Sequence, residues 1–507
     1  MTPLVDATTP GGHLLVLAVI LPVCAVLAIL TCGSRSAARI AMVTLAAGLV
    51  VAVAIARELM STGAALSYVV GAWQPPLGIA LRADGLSGAM LVMTAVVVVA
   101  VGLFARTQYR LHGSAGEGRA QTTFWLMLLA LWSALNAVFI GEDLFNLYVA
   151  LELLTFAAVP LVCLDGRAET VSAALRYLLF ALVGSLLYLL GCGLIYGQYG
   201  TLDLLALSRL SRSDPALFAA LALMIVGLLA KAALFPLHLW LPPAHAGAPA
   251  PASAVLSALV VKAPVFLILR LVLDVAPPQA AAIVGQLLAV LGAASILFCS
   301  VMALRQTRLK LMIAYSTVAQ IGYLFIVFPL AAGSPDLPPW GTVAWTGGAL
   351  QLISHALAKA AMFLAAGVIA EAFGHDRIAD LGGFGRVLPL SAAAFGLAGL
   401  SLMGIPPSGG FIAKCLLLTA AVIEGYPWLA ATILAGGLLA GGYVFRVINK
   451  ALAVPAVPFQ ADRAVPRRME LAALALAVAA VLLGFVPLRP FGLLQIGRGD
   501  ANLAWTP

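Results

Sequence analysis

The chain alternates long apolar runs with short polar connections. Fourteen runs stand out, at 13–32, 38–57, 86–106, 122–141, 143–163, 173–197, 216–235, 250–273, 279–304, 309–332, 342–373, 388–424, 427–449 and 469–488. About 20 residues of low polarity suffice for a helix to cross a bilayer, so each run predicts a membrane-spanning helix. Two runs are interrupted. The seventh ends at Phe235-Pro236 and leads into Pro242-Pro243, and the twelfth contains Gly404-Ile405-Pro406-Pro407-Ser408-Gly409-Gly410. Proline removes a backbone donor and clashes with the preceding turn, so helix breaks are expected at Pro236 and at Pro406 and Pro407. Broken backbone at membrane depth persists only where protein or water satisfies its freed polar groups. The two interruptions therefore point to a transport path, although Gly and Pro are also simply frequent in membrane helices.

Composition sharpens this picture. Apolar residues make up 63% of the 507, and charged residues only 9%, against about 25% in a soluble domain. A soluble enzyme, a disordered chain and a nucleic-acid binder are excluded, and the lipid bilayer is the surrounding medium. The net charge of +8 reflects basic residues in the connections, with no basic run interleaved with aromatics. If the N-terminus is placed outside, seventeen Lys and Arg fall in inner connections and seven in outer ones. That asymmetry predicts a multi-pass protein of the cell inner membrane with both termini on the periplasmic side. The N-terminal segment lacks a basic leader region, so the first run is read as a retained span. The six cysteines form no CxxC pair and lie in or beside apolar runs, as small membrane-core residues do.

The four remaining basic residues are all lysines inside apolar runs: Lys231, Lys262, Lys359 and Lys414. Glu152 joins them, and His355 stands one helical turn before Lys359. An ionised group at the bilayer centre costs about 2.5–3.5 kcal/mol on insertion scales, so this set is expected to face protein or water. A lysine taken out of water holds its proton less tightly, and a carboxylate beside it restores the grip. A buried Glu–Lys pair is thus a switch whose proton affinity follows the pair distance. An imidazole titrates near neutrality and suits an intermediate carrier. Glu152, Lys231, Lys262, His355, Lys359 and Lys414 together read as a proton relay. For Lys231, close to its helix end, snorkelling towards the interface is the competing reading.

Lesser candidates surround this set. Asp143 at the start of the fifth run is either a proton-access group or a residue with a helix-cap or surface role. His238 and His245 flank Pro242-Pro243, where they either lead protons between half-paths or occupy a polar connection. Asp84 is expected to cap the third helix. There is no Walker loop, no GxGxxG opening a βα unit and no haem or iron–sulfur cysteine pattern. No cofactor and no metal site are expected, and the driving force is expected to come from an ion gradient or a partner subunit.

At these residues the chain resembles the antiporter-like membrane subunits shared by Mrp-type cation/proton antiporters, respiratory complex I and membrane-bound hydrogenases. The matching stretches are Asp143-Leu144-Phe145-Asn146-Leu147-Tyr148 with Glu152, and Ala230-Lys231-Ala232-Ala233-Leu234-Phe235-Pro236-Leu237-His238. They continue with Trp240-Leu241-Pro242, His245-Ala246-Gly247-Ala248-Pro249 and Lys262, then Ala314-Tyr315-Ser316-Thr317. His355-Ala356-Leu357-Ala358-Lys359-Ala360 and the Pro406-Pro407 segment with Lys414 complete the set. The segment 71–79 before Asp84 looks most like the D-type member of the Mrp antiporters. Pro243 and Ala250 depart from residues frequent in the family, and the long lateral helix of the most distal complex I subunit is not expected here, which argues against that assignment.

The resemblance implies an all-α polytopic fold of about fourteen transmembrane helices with two inverted five-helix repeats and broken helices 7 and 12. It divides the chain into 1–121 (helices 1–3), 122–273 (first repeat), 279–450 (second repeat) and 451–507 (helix 14 and tail). It pairs Glu152 with Lys231 in the first repeat and runs from Lys262 through His355 and Lys359 to Lys414 in the second. The function it implies is proton translocation within a multi-subunit cation/proton antiporter, with other membrane subunits as partners and protons and Na⁺ or K⁺ as cargo. Alternatives are a non-catalytic pumping subunit of a redox complex, or the membrane partner of a proton-driven inorganic-carbon uptake system. In each case the chain is a transporter subunit more than an enzyme.

Overall fold

The computed structural model describes residues 8–111, 118–331, 338–454, 463–486 and 489–497. The end segments 1–7 and 498–507, Arg498 among them, lie outside the described residues, as do 332 and 487–488 at the ends of two expected spans.

Two helices open the chain, α1 (His13–Cys32) and α2 (Ser34–Thr62). A short antiparallel hairpin follows, β1 (Leu66–Val69) with β2 (Ala80–Ala83). Then come α3 (Gly85–Leu111), α4 (Gly118–Ile140), α5 (Leu144–Val162) and α6 (Ala168–Tyr199). The short α7 (Leu204–Leu210) precedes α8 (Pro215–Ala232) and α9 (Leu241–Gly247), the two pieces of the seventh expected span. The eighth span is not one regular helix. It is built from α10 (Ala250–Val255), a π-helical turn at Leu256–Val260, α11 (Lys262–Arg270) and a second π turn at Leu271–Val275. Beyond it lie α12 (Pro278–Arg305), α13 (Leu309–Ala331), α14 (Pro338–Phe373) and the single turn α15 (Phe384–Val387). The twelfth span is split into α16 (Pro389–Met403) and α17 (Gly409–Ile423), and α18 (Pro427–Leu452) and α19 (Arg467–Leu482) close the chain.

Every one of the fourteen expected spans has a helical counterpart, and the hairpin is the departure from an all-helical chain. Among the described residues, twelve helical segments are long and apolar enough to cross a membrane. Helix starts are fixed by side chains that accept the orphaned first N–H groups: Asp143 before α5, Asp203 before α7, Asp214 before α8 and Ser408 before α17. Asp84 Oδ1 accepts from Ser87 N at 2.9 Å, as a cap does.

The helices sort by burial. In the apolar window of α1 28% of residues are buried, against 94% in those of Ala250–Val275 and α14. The lipid-side helices therefore wrap three interior elements, Ala250–Val275, α13 and α14. Glycines set the tightest contacts. A Cβ built on Gly227 of α8 lands 2.2 Å from the Gly184 carbonyl of α6, and one on Gly322 of α13 lands 2.4 Å from the Gly292 carbonyl of α12. Two short strand-like bridges recur at equivalent places. Asp143 before α5 pairs with Asp203 after α6, and Arg308 before α13 pairs with Arg377 after α14.

Candidate functional site

The first buried pair crosses from α5 to α8. Glu152 Oε1 accepts from Lys231 Nζ at 3.1 Å, and the same ammonium donates to Thr155 Oγ1 at 3.0 Å. Glu152 and Thr155 are three residues apart and share one face of α5. Ser185 Oγ of α6 donates to the same Glu152 oxygen. The Lys231 side chain is 6% exposed, so it does not snorkel. It sits in the last turn of α8 because Ala233, in the left-handed region at φ 54°, ends the helix. The break thus falls three residues before Pro236, whose ring only prevents the helix from resuming. Trp240 turns back to donate from Nε1 to the Ala230 carbonyl at 2.9 Å.

A cavity of about 10 Å³, lined by Thr155, Lys231, Val260 and Pro264 among others, separates this pair from the next element. It has the size of a single water site. On its far side is the π turn. Lys262, fully buried, donates from Nζ to the Ser257 carbonyl at 2.6 Å. A π turn displaces carbonyls from the i→i−4 ladder, and Lys262 opens the helix one residue after it. Ser257 Oγ lies 2.8 Å from Thr317 Oγ1, so the turn is tied to the interior helix α13.

Lys359 of α14 donates to the Ile313 carbonyl of α13 at 3.1 Å and to Ser316 Oγ. His355, one turn earlier, is buried and neither ring nitrogen has a hydrogen-bond partner among the described residues. It lies within electrostatic reach of Lys262, Lys359 and Lys414. Lys414 of α17 donates to the Leu402 carbonyl at 2.5 Å, an orphan acceptor at the end of α16. Its ammonium stands 4.3 Å from the centre of the Tyr323 ring, a cation–π contact. The split there runs from Gly404, at φ 82°, to the cap Ser408, so Pro406 and Pro407 sit in the connecting turn.

The remaining candidates separate. Asp143 accepts from Phe145 N at 3.0 Å and Asn146 N at 2.9 Å, which is helix-cap geometry. His238 packs edge-on near Tyr315, with ring centroids 6.4 Å apart. His245 stacks on Phe363 at 4.7 Å and lies within electrostatic reach of Lys262 and Lys359. It belongs with the interior set, whereas His238 sits at the edge. Nothing in the residue pattern signals the π turn, or the hydroxyl partners Thr155, Ser185, Ser316 and Thr317. Ser316 and Thr317 do fall in the Ala314-Tyr315-Ser316-Thr317 stretch, but that stretch by itself assigns them no partner.

Comparison with known proteins agrees with this architecture. Residues 141–440 match the family described as NADH:quinone oxidoreductase/Mrp antiporter, TM. The NADH-quinone oxidoreductase N subunit of Desulforudis audaxviator is 37% identical over 466 residues, covering 88% of each chain. The D-type chain of the Na(+)/H(+) antiporter of Bacillus subtilis is 29% identical, covering 75% of this chain and 74% of that one. A chain in the structure of the Mrp complex from Dietzia sp. DQ12-45-1b superposes with a TM-score of 0.84 at 25% identity, covering 96% of both chains. A helical array with two broken spans and buried charges, matched over most of its length, identifies this chain as a multi-pass integral membrane protein of the NADH:quinone oxidoreductase/Mrp antiporter family.

Proposed function

We propose that this chain is the proton-translocating subunit of a multi-subunit cation/proton antiporter in the cell inner membrane. The observation that carries the reading is the series Lys231, Lys262, His355, Lys359 and Lys414, buried on interior and broken helices, with Glu152 of α5, its side chain 14% exposed, paired to Lys231. Each lysine ends on a carboxylate, hydroxyl or freed carbonyl that holds the ammonium without locking it. Such a series passes a proton along by exchanging acceptors, with His355 between lysines. Burial of these charges without a transport role would be a cost to folding with nothing gained.

The cargo of the complex is a monovalent cation, Na⁺ or K⁺, and its partners are further membrane subunits. Two relatives support this: the chain of a Na(+)/H(+) antiporter and a chain of an Mrp complex. A second reading is favoured by the 37% identity to the N subunit of a quinone oxidoreductase. In that case the chain pumps protons inside a redox complex. Residues 122–273 and 279–450 act as the two repeats, a division supported by the matched bridges Asp143–Asp203 and Arg308–Arg377. Both termini face the periplasm on the charge asymmetry of the connections.

The test is reconstitution of the complex that copurifies with the full chain. Na⁺- or K⁺-driven proton movement in sealed vesicles, lost in Glu152→Ala and Lys231→Ala while assembly survives, supports the antiporter reading. Copurification with iron–sulfur subunits selects the redox complex. Undiminished proton movement in both variants overturns the relay.

A further inference from the structure

One end of the bundle holds a polar cavity of about 430 Å³ that the relay does not use. That volume holds on the order of ten waters. Its walls come from several separate parts of the chain, α7 and Trp345 of α14 among them. Arg82 lies on β2, Asp84 precedes α3, Glu142 lies between α4 and α5, and Arg270 and Asp274 lie on α11 and the π turn after it. The Arg270 guanidinium is committed. It pairs with Asp84 at 2.6 Å and Asp274 at 3.1 Å, and donates to Ser87 Oγ at 3.2 Å. Glu142 takes no share in those hydrogen bonds. Asp274, with a side chain 46% exposed, marks the open end.

The closed end is aromatic. Phe139 and Phe266 line the cavity and meet edge to face, with centroids 5.2 Å apart, and both are buried. Arg270 caps the Phe266 ring from the cavity side at 4.9 Å. Phe266 lies midway along α11 between Arg270 and Lys262. Eight helical residues at 1.5 Å each place the two ends of that path about 12 Å apart.

We propose that this cavity is the proton mouth of the relay on the face bearing the β1–β2 hairpin, with Glu142 the exchanging carboxyl and the Phe139–Phe266 pair a dry plug before Lys262. The proposal rests on the relay reading. The charge environment fits the role. Burial, with repulsion from Asp203 and Asp84, pushes the Glu142 carboxyl up to about 7 against the attraction of Arg82 and Arg270. A carboxyl in that range loads and unloads near neutral pH. Asp84 behaves oppositely: burial works to raise its carboxyl, but Arg270 and the Ser87 hydrogen bond outweigh it and keep it charged. The Arg270–Asp84 pair is therefore a fixed wall, and Glu142 the group free to titrate.

The experiment uses the intact complex in sealed proteoliposomes. Glu142→Gln is expected to lower proton flux about tenfold at pH 7 and to remove the inflection near that pH from the flux profile. Phe266→Ala is expected to raise the passive proton leak of the undriven complex. Glu142→Cys is expected to be labelled by a membrane-impermeant thiol reagent from one side only, against a parent carrying its six native cysteines. If Glu142→Gln fails to assemble, this labelling still decides. An unchanged flux profile in Glu142→Gln, or no labelling of Glu142→Cys from either side, overturns the mouth. If Lys262→Ala meanwhile abolishes flux, the relay stands without it; if flux survives there too, the relay itself is refuted.

Discussion

Lys262 donates to the carbonyl of Ser257 at 2.6 Å, across a π turn in one of the two most buried spans among the described residues. No carboxylate pairs with it among the described residues, so the lysine is held by a backbone dipole alone. A buried ammonium without a counter-ion destabilises the fold. Lys262→Met keeps the volume and removes the charge. The variant is expected to melt at the parent temperature or above it, within about 1.5 kcal/mol on packing grounds, while proton flux falls to background. Thermal unfolding of the purified complex beside vesicle flux checks both halves.

Glu152 and Lys231 present the opposite case, because each is the other's counter-ion. Removing one partner of a buried pair costs about 3–5 kcal/mol, while replacing both is much milder. Glu152→Gln and Lys231→Met are each expected to destabilise strongly, and the double variant less than either. All three should be without flux. A double-mutant cycle on thermal stability measures the coupling; strictly additive losses would show that the two side chains do not pair in the membrane.

Much of this is legible in the residues alone. Lysines and a glutamate inside apolar runs are rare enough that their burial follows from insertion energetics. The Pro-Pro segment at 406–407 announces its own break. Other features leave no mark. Leu256-Ser257-Ala258-Leu259-Val260 reads as ordinary apolar helix, yet it forms a π turn that packs on α14 and meets Thr317 of α13 through Ser257. Ala233 carries the seventh break in a left-handed conformation that alanine rarely adopts. Asp84 is readable as a cap, yet its ion pair with Arg270 joins residues far apart in sequence. Long-range pairing of that kind has no periodic signature.

Glu142 gives a pH prediction with a definite sign. Its carboxyl titrates at about 7 in the fold, against 4.5 for the free group. Between those values the folded state binds the extra proton, so its contribution to stability is present below pH 4.5 and is lost as the pH rises through 7. Relative to Glu142→Gln, the parent protein should lose melting temperature on going from pH 5 to pH 8. A parent–variant difference that stays flat across that range, or grows in the parent's favour, contradicts the assigned environment.

The close approach of α6 and α8 is set by two glycines, and the Glu152–Lys231 pair depends on it. Gly184 precedes Ser185, which donates to Glu152, and Gly227 lies one turn before Lys231. A methyl on Gly227 would meet the Gly184 carbonyl at 2.2 Å, and one on Gly184 would meet the Gly227 carbonyl at 2.5 Å. Both obstacles are backbone, so the helices must separate. Overpacking of this kind costs about 1–3 kcal/mol. Separation also moves Ser185 away from Glu152 while Thr155, on the same helix as Glu152, keeps its place. Gly227→Ala is therefore expected to lower flux more than it lowers stability, by weakening the grip on Glu152. Thr155→Val, which removes one acceptor of Lys231 without moving a helix, should give a smaller loss. Flux and melting temperature measured on both variants separate the effects. Equal flux in Gly227→Ala and the parent would mean that the pair tolerates a wider helix spacing than this geometry allows.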